Sequence, residues 1–354
     1  MNLFAALHEY LLERERQDYF SGVVLITQNS HELYSAAYGY ASRAWKVMNS
    51  LDIRFDCASV TKIFTAVAVL QLIEQGLLTF ETSAVQLLGL RDTQISEAVN
   101  VFHLLTHTSG IADDSEEEAG EDYADLWITK PNYSVLETAD FLPQFVHKPP
   151  NFAPGAGCRY CNVGFTLLGL MIEKVTGMTY RSYVRKHVFE RAEMWHSDFY
   201  RMDVVTENVA EGCDPIVDGD NTITGWKRNI YSYPPIGSPD GGAHVTAGDL
   251  DIFLNAIQSG KLLSAEFTAD MLVPKALHHE TEHYTFKCGY GLEFYLWKPD
   301  IFTYYEKDGI NAGASAVMRH YPAQNLNVIM LSNMMRGVWE PVKKVHELLM
   351  TTAL

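Results

Sequence analysis

Strand-like segments lie at both ends of this chain with a long, mostly helical stretch between them, and that order narrows the fold more than any other feature. Gly22–Gln28 and 32–38 are rich in β-branched and aromatic side chains, and Asn29-Ser30 between them suits a hairpin turn. Stretches near 289–297, 302–305, 314–320 and 327–331 read as further strands. Apolar spacing predicts a helix over 2–16, with Leu3, Leu7, Tyr10, Leu11 and Leu12 on one broad face, and a closing helix over 341–350. From about 83 to 231 the pattern is mostly helical: Ser134-Val-Leu-Glu137 reads as a capping box before an apolar-periodic run, and Gly177 ends a helix that begins near Val163. The expected architecture is α/β of the α+β kind. An antiparallel sheet flanked by helices forms from 1–82 and 232–354, and a large, mostly helical insertion lobe spans 83–231. A chain of 354 residues supports one large or two intertwined lobes.

Charge excludes some partners. With 44 acidic against 27 basic side chains the formal net charge is -17, which repels nucleic acid and anionic membrane surfaces. No apolar run is long enough to cross a bilayer, and Met1 to Phe20 lacks the apolar centre of a signal peptide. Five cysteines, an odd number in a long chain, argue against a disulfide framework, so a cytoplasmic setting is expected. Asp113, Asp114, Glu116, Glu117, Glu118, Glu121, Asp122 and Asp125 form an acidic run that reads as a solvated surface loop. Its functional alternative is a rim that attracts amines, or a weak cation site without the spacing of a calcium loop.

Three short motifs carry chemistry. In Ala58-Ser-Val-Thr-Lys62 the serine precedes a strongly apolar helix, Ile63 to Gln75, that Gly76 closes. Ser59 then lies near a helix N-terminus, where free N–H groups favour developing negative charge. Lys62 is one turn further on the same side. A serine hydroxyl needs a base to become a nucleophile, and a lysine serves when desolvation lowers its pKa. Taken alone the pair also suits a plain N-cap serine. Tyr160-Cys-Asn162 offers a phenol that titrates low enough beside lysines to pass a proton, and an amide that grips a substrate amide. The bland alternative is a buried tyrosine and a capping asparagine. Lys307-Asp-Gly309 leads into a strand and offers a cation for a substrate anion and open backbone for an oxyanion hole. An ordinary turn is its alternative.

In this order the motifs resemble those of the serine β-lactamases, penicillin-binding proteins and related esterases and D-peptidases: Ser-x-x-Lys, Tyr-x-Asn, then Lys-Thr-Gly or a His-x-Gly variant. Phe55-Asp-Cys-Ala-Ser-Val-Thr-Lys-Ile-Phe-Thr-Ala66, His103-Leu-Leu-Thr-His-Thr-Ser-Gly110 and Gly241-Gly-Ala-His-Val-Thr-Ala-Gly-Asp-Leu250 are similar to the same family. The resemblance implies a β-lactamase-like fold in which Ser59 attacks a carbonyl and forms an acyl-enzyme. It implies that Lys62 takes the serine proton, Tyr160 relays a proton to the leaving group and Asn162 binds the acyl side. The N–H groups of Ser59 and Ile310 would make the oxyanion hole, with Lys307 and Gly309 on the substrate side, and neither metal nor organic cofactor is implied.

Departures from the pattern matter. Asp308 stands where β-lactamases have threonine and disfavours a substrate carboxylate, and the Ser-Asp-Asn motif of class A is absent. The large insertion is more similar to the class C, esterase and D-peptidase branch. The expected activity is hydrolysis of a small ester, amide or short peptide, esterase or D-peptidase-like. The alternatives are β-lactamase or penicillin-binding activity, an acyltransferase, and a catalytically idle binding protein. Cys158-Arg-Tyr-Cys161 has no second pair for zinc, and His103, His107 and His244 are expected to be structural hydrogen-bonders.

Overall fold

The computed structural model describes residues 3–351. Its centre is an eight-stranded antiparallel sheet. In chain order the strands are β1 (Gly22–Gln28), β2 (His31–Tyr38), β3 (Ala276–Glu280), β4 (Tyr284–Cys288), β5 (Glu293–Trp297), β6 (Tyr304–Asn311), β7 (Ala314–Tyr321) and β8 (Leu326–Ser332). Their spatial order is β2-β1-β8-β7-β6-β5-β4-β3, so the two chain ends meet where β1 pairs with β8. The hairpin forms where expected because Asn29 and Ser30 both take left-handed φ values, 51° and 63°, the combination that matches the strand twist.

Alternation along the central strands divides the core. Val24, Ile26, Val317, Val328 and Met330 face one side, where α1 (Leu3–Arg16) and α5 (Trp339–Thr351) bring Leu7, Leu11, Val342 and Val345. Val23, Leu25, Met318, Ile329 and Leu331 face the other, against α4 (Ala247–Gln258) and the helical region beyond it. Inside that second core lie α2 (Thr61–Glu74) and α3 (Asn162–Thr176). Every residue of α2 from Thr61 to Leu72 is buried, as a helix apolar on all sides requires. Gly177 ends α3 in the left-handed conformation.

The middle of the chain is less helical than its sequence pattern suggests. Glu137, not Ser134, caps the next element, which is a 3-10 helix, Thr138–Gln144, with Asp140 closing the capping box and Pro143 inside it. A two-stranded ribbon, Cys213–Val217 with Ile223–Arg228, falls within the same stretch. Both β3 and β4 also escape the sequence reading. β3 is the edge strand, and its His and Glu side chains give no apolar alternation. β4 does alternate, Tyr284, Phe286 and Cys288 against Thr285 and Lys287, but over only five residues. Among the described residues no helix is long and apolar enough to cross a membrane.

Candidate active site

Ser59 lies in a 3-10 turn, Ala58–Val60, that runs directly into α2. Ala58 has a φ of 45°, an uncommon conformation for a residue with a side chain, and its N–H is held by Asp56 Oδ1 at 2.7 Å. Local strain of this kind persists where the surroundings enforce it and gathers at functional sites.

Lys62 is fully buried, and its ammonium nitrogen donates to Ser59 Oγ at 3.1 Å, Asn162 Oδ1 at 2.8 Å and the Asp240 carbonyl at 2.6 Å. Asn162, the first residue of α3, points its other amide atom, Nδ2, at Glu117 Oε2, 2.8 Å away. The ammonium nitrogens of Lys62 and Lys307 each lie 5.0 Å from the Tyr160 ring centroid. Burial pushes the Tyr160 phenol above the usual tyrosine range despite these two cations. That differs from the low titration expected from lysine neighbours alone, and it leaves Tyr160 as a neutral O–H donor.

Strand β6 passes against the serine turn. A Cβ on Gly309 would come within 2.4 Å of the Cys57 carbonyl and 2.7 Å of the Ser59 nitrogen, so only glycine allows this approach. Ile310 and Ser59 line two adjoining clefts. One, narrow, runs past Tyr200, Tyr233 and Ile236. The other, roomier, holds Tyr160, His278, Phe286, Lys307 and Asp308. Lys307 is buried and ion-paired with Glu293, with Asp308 Oδ1 3.2 Å away. Burial opposes its charge, but Glu293, Tyr160 and Asp308 outweigh that and hold its pKa well above the ordinary lysine value.

The structure thus brings Ser59, Lys62, Tyr160, Asn162, Lys307, Gly309 and Ile310 into one region. A buried amine against a serine oxygen at a strained turn, with that serine in the walls of two clefts, is an arrangement suited to acyl transfer.

The sequence profile of the Beta-lactamase family matches residues 8–348. The chain belongs to the Beta-lactamase family. A penicillin-binding protein from Bacillus halodurans is 35% identical and superposes with a TM-score of 0.86, covering 95% of this chain and 99% of that one. Penicillin-binding protein 4* of Bacillus subtilis is 29% identical over 192 residues, 54% of this chain, and the match spans only 40% of that relative's length. D-amino acid amidase from Ochrobactrum anthropi SV3 superposes with a TM-score of 0.79 over 99% of both chains, at 20% identity, a likeness of fold.

The acidic run of this Beta-lactamase family member is not a solvated loop throughout. Asp113 and Asp114 are each 2% exposed, and Lys148 Nζ binds both of their carbonyls at 2.8 Å. Asp113 accepts the Asn162 and Val163 N–H groups at 2.7 and 3.0 Å, so it caps α3 from a distant part of the chain. Burial raises the Asp113 carboxyl to about 6, against the pull of those two N–H groups. Glu118 accepts the Tyr160 N–H and meets His278 Nε2. Only the far end of the run, Glu121, Asp122 and Asp125, is exposed without such contacts to the motifs. Replacing Asp113 by alanine strips two charge-assisted hydrogen bonds, and we expect a loss of about 2–3 kcal/mol. A urea midpoint measurement on wild type and Asp113→Ala checks this, and an unchanged midpoint would refute the capping role.

Among the histidines, His107 is a structural hydrogen-bonder: its Nδ1 accepts the Cys161 N–H at 3.1 Å, and burial keeps it neutral. His103 and His244 each keep a buried Nδ1 without a partner among the described residues, while burial disfavours their protonated forms against the backbone at Ala98 and at Gly242, respectively, which favours them. The five thiols are free, and the Cys158 thiol donates to the Thr106 carbonyl at 3.6 Å rather than meeting Cys161. Among the described residues no group of three or more His, Cys, Asp or Glu side chains gathers to hold a metal ion. Asp113, Glu117, Asp240 and Glu293 complete the site beyond the residues that the motifs name.

Proposed function

We propose that the chain is a serine hydrolase acting on an ester or amide bond through a Ser59 acyl-enzyme. The observation that carries this reading is the buried Lys62 nitrogen 3.1 Å from Oγ of Ser59, a residue that lines two clefts. In the proposed cycle Ser59 Oγ bonds to the substrate carbonyl carbon and its proton passes to Lys62 once that amine is neutral. The oxyanion that forms is met by the N–H groups of Ser59 and Ile310. Tyr160, kept protonated by burial, passes its proton to the leaving oxygen or nitrogen and regains one from Lys62. Water then gives a proton to the again-neutral Lys62 and attacks the acyl-enzyme carbonyl carbon; the C–Oγ bond breaks and Ser59 Oγ takes that proton back from Lys62. Asn162 holds Lys62 through Oδ1, and Nδ2, which gives one N–H to Glu117, has its second N–H for the acyl group.

Esterase or D-peptidase-like action on a small ester, amide or short peptide leads, in keeping with the amidase fold likeness and with Asp308 at the cleft. Acylation by penicillin is the second reading, favoured by the Bacillus halodurans relative's description as a penicillin-binding protein. The test is intact-protein mass spectrometry after a fluorophosphonate, a p-nitrophenyl ester and penicillin, with the adduct located by peptide mapping. Labelling of Ser59 by the fluorophosphonate together with p-nitrophenol release is expected. Adducts at another residue, or none on folded protein, overturn the reading. A stable penicillin adduct without ester turnover moves the second reading ahead.

A further inference from the structure

One buried acid in the cleft has no part in the cycle above. Glu293 opens β5, is 8% exposed, and forms an ion pair with Lys307, itself 1% exposed, on the neighbouring strand β6. Both line the same cleft as Ser59. A second carboxylate, Asp308, is 3.2 Å from the same ammonium and stands at the cleft rim with its side chain 36% exposed. One cation is therefore shared by two carboxylates of the protein, and this small cluster carries a formal negative charge.

Geometry fixes which part of a substrate meets the cluster. Tyr160 lines this cleft and not the adjoining one, and the Lys307 ammonium lies 5.0 Å from its ring centroid. The phenol proposed to protonate the leaving group and the lysine thus share one side, so leaving groups pass Lys307. An unpaired lysine there would attract a carboxylate on the leaving group. Here the position of that carboxylate is already taken from within the protein, and an incoming one meets Glu293 and Asp308 as like charges in a poorly solvated setting. Juxtaposed like charges at close range are a common means of rejecting a ligand.

We infer that Glu293, assisted by Asp308, is a specificity-determining residue that closes the leaving-group cleft to carboxylates. Ser59 then acts on esters or amides whose leaving group is uncharged or cationic. This rests on the serine hydrolase reading and names the substrate class that goes with it. It also separates the two carboxylates by role. Glu293 neutralises the lysine from the interior, while Asp308 screens the entrance.

The experiment compares two esters of one acyl group, a phenyl ester and its 3-carboxyphenyl counterpart, on wild type, Glu293→Gln and Asp308→Asn. The quantity read is the ratio of kcat/KM for the charged ester to that for the uncharged one, so a general loss of activity in a variant cancels. Wild type should prefer the uncharged ester. The ratio should rise by at least about tenfold in Glu293→Gln and by a smaller factor in Asp308→Asn, and both rises should shrink with added salt. Should Glu293→Gln fail to fold, the rim variant carries the test, because its side chain is partly exposed. A ratio within about twofold of wild type in every folded variant overturns the inference. So does a wild type that already prefers the charged ester. A wild type that turns over neither ester, and takes no fluorophosphonate at Ser59, removes the hydrolase reading and this inference with it.

Discussion

Ser59→Ala, Lys62→Met and the double variant will all fall to about the same residual turnover, roughly 10⁴-fold or more below wild type. The reason is that the two side chains act as a unit. Ser59 Oγ is a weak nucleophile until a base takes its proton, and among the described residues Lys62 is the amine in contact with it, at 3.1 Å. Methionine keeps the length and apolar bulk of the buried lysine stem but cannot accept a proton. The Lys62 nitrogen also ties Ser59 to Asn162 and to the Asp240 carbonyl, so its removal frees the serine rotamer as well. Rates of p-nitrophenyl ester hydrolysis on the three variants, with circular dichroism to verify folding, make the measurement. Losses that multiply in the double variant would mean that each residue acts alone, and a Lys62→Met enzyme within tenfold of wild type would make another group the base.

What the sequence made legible follows from how each feature is encoded. The β1–β2 hairpin was readable because Asn29 and Ser30 tolerate the left-handed turn, and the central strands because their apolar residues run unbroken between polar breaks. Helix α2 was readable from its apolar run and Gly76, and the end of α3 from Gly177. Ser59 and Lys62 came as a local pair on one helical turn. Tyr160 and Asn162 came from a second motif whose distance in sequence is bridged by the packing of α3 against α2.

Other parts were hidden for physical reasons. A dense acidic run looks alike whether its members face water or helix N–H groups, so Asp113 and Glu117 could not be told apart from Glu121. The contact between Lys62 and Asp240 uses a backbone carbonyl, which no side-chain pattern reports. Glu293 and Lys307 pair across neighbouring strands, and their meeting depends on a register that the sequence states only through the whole sheet. Burial misled in the opposite direction at Tyr160. Two nearby lysines suggested a phenol easily ionised, but withdrawal from water outweighs them.

Gly309→Ala will lower kcat by about 10²–10³-fold while changing KM for a small ester far less, the signature of an interaction made mainly in the transition state. Strand β6 lies so close to the serine turn that the new methyl carbon would sit 2.4 Å from the Cys57 carbonyl, 2.7 Å from the Ser59 nitrogen and 3.0 Å from the Ala58 Cβ. Two of these neighbours are backbone atoms, so no side-chain rotation relieves the clash. Either β6 or the turn must move outward, which separates the Ser59 and Ile310 N–H groups that the proposed cycle needs at one oxygen. Pairing of Gly309 with Ala316 in the β6–β7 ladder holds the strand from its other side, so the fold should survive at a cost of roughly 1–3 kcal/mol. Gly219→Ala is the matched control, since a Cβ there meets nothing within 4 Å. Steady-state kinetics of both variants decide the matter. A Gly309→Ala enzyme with wild-type kcat would show that the close approach of β6 does not serve the oxyanion, and the hole would have to be sought elsewhere around Ser59.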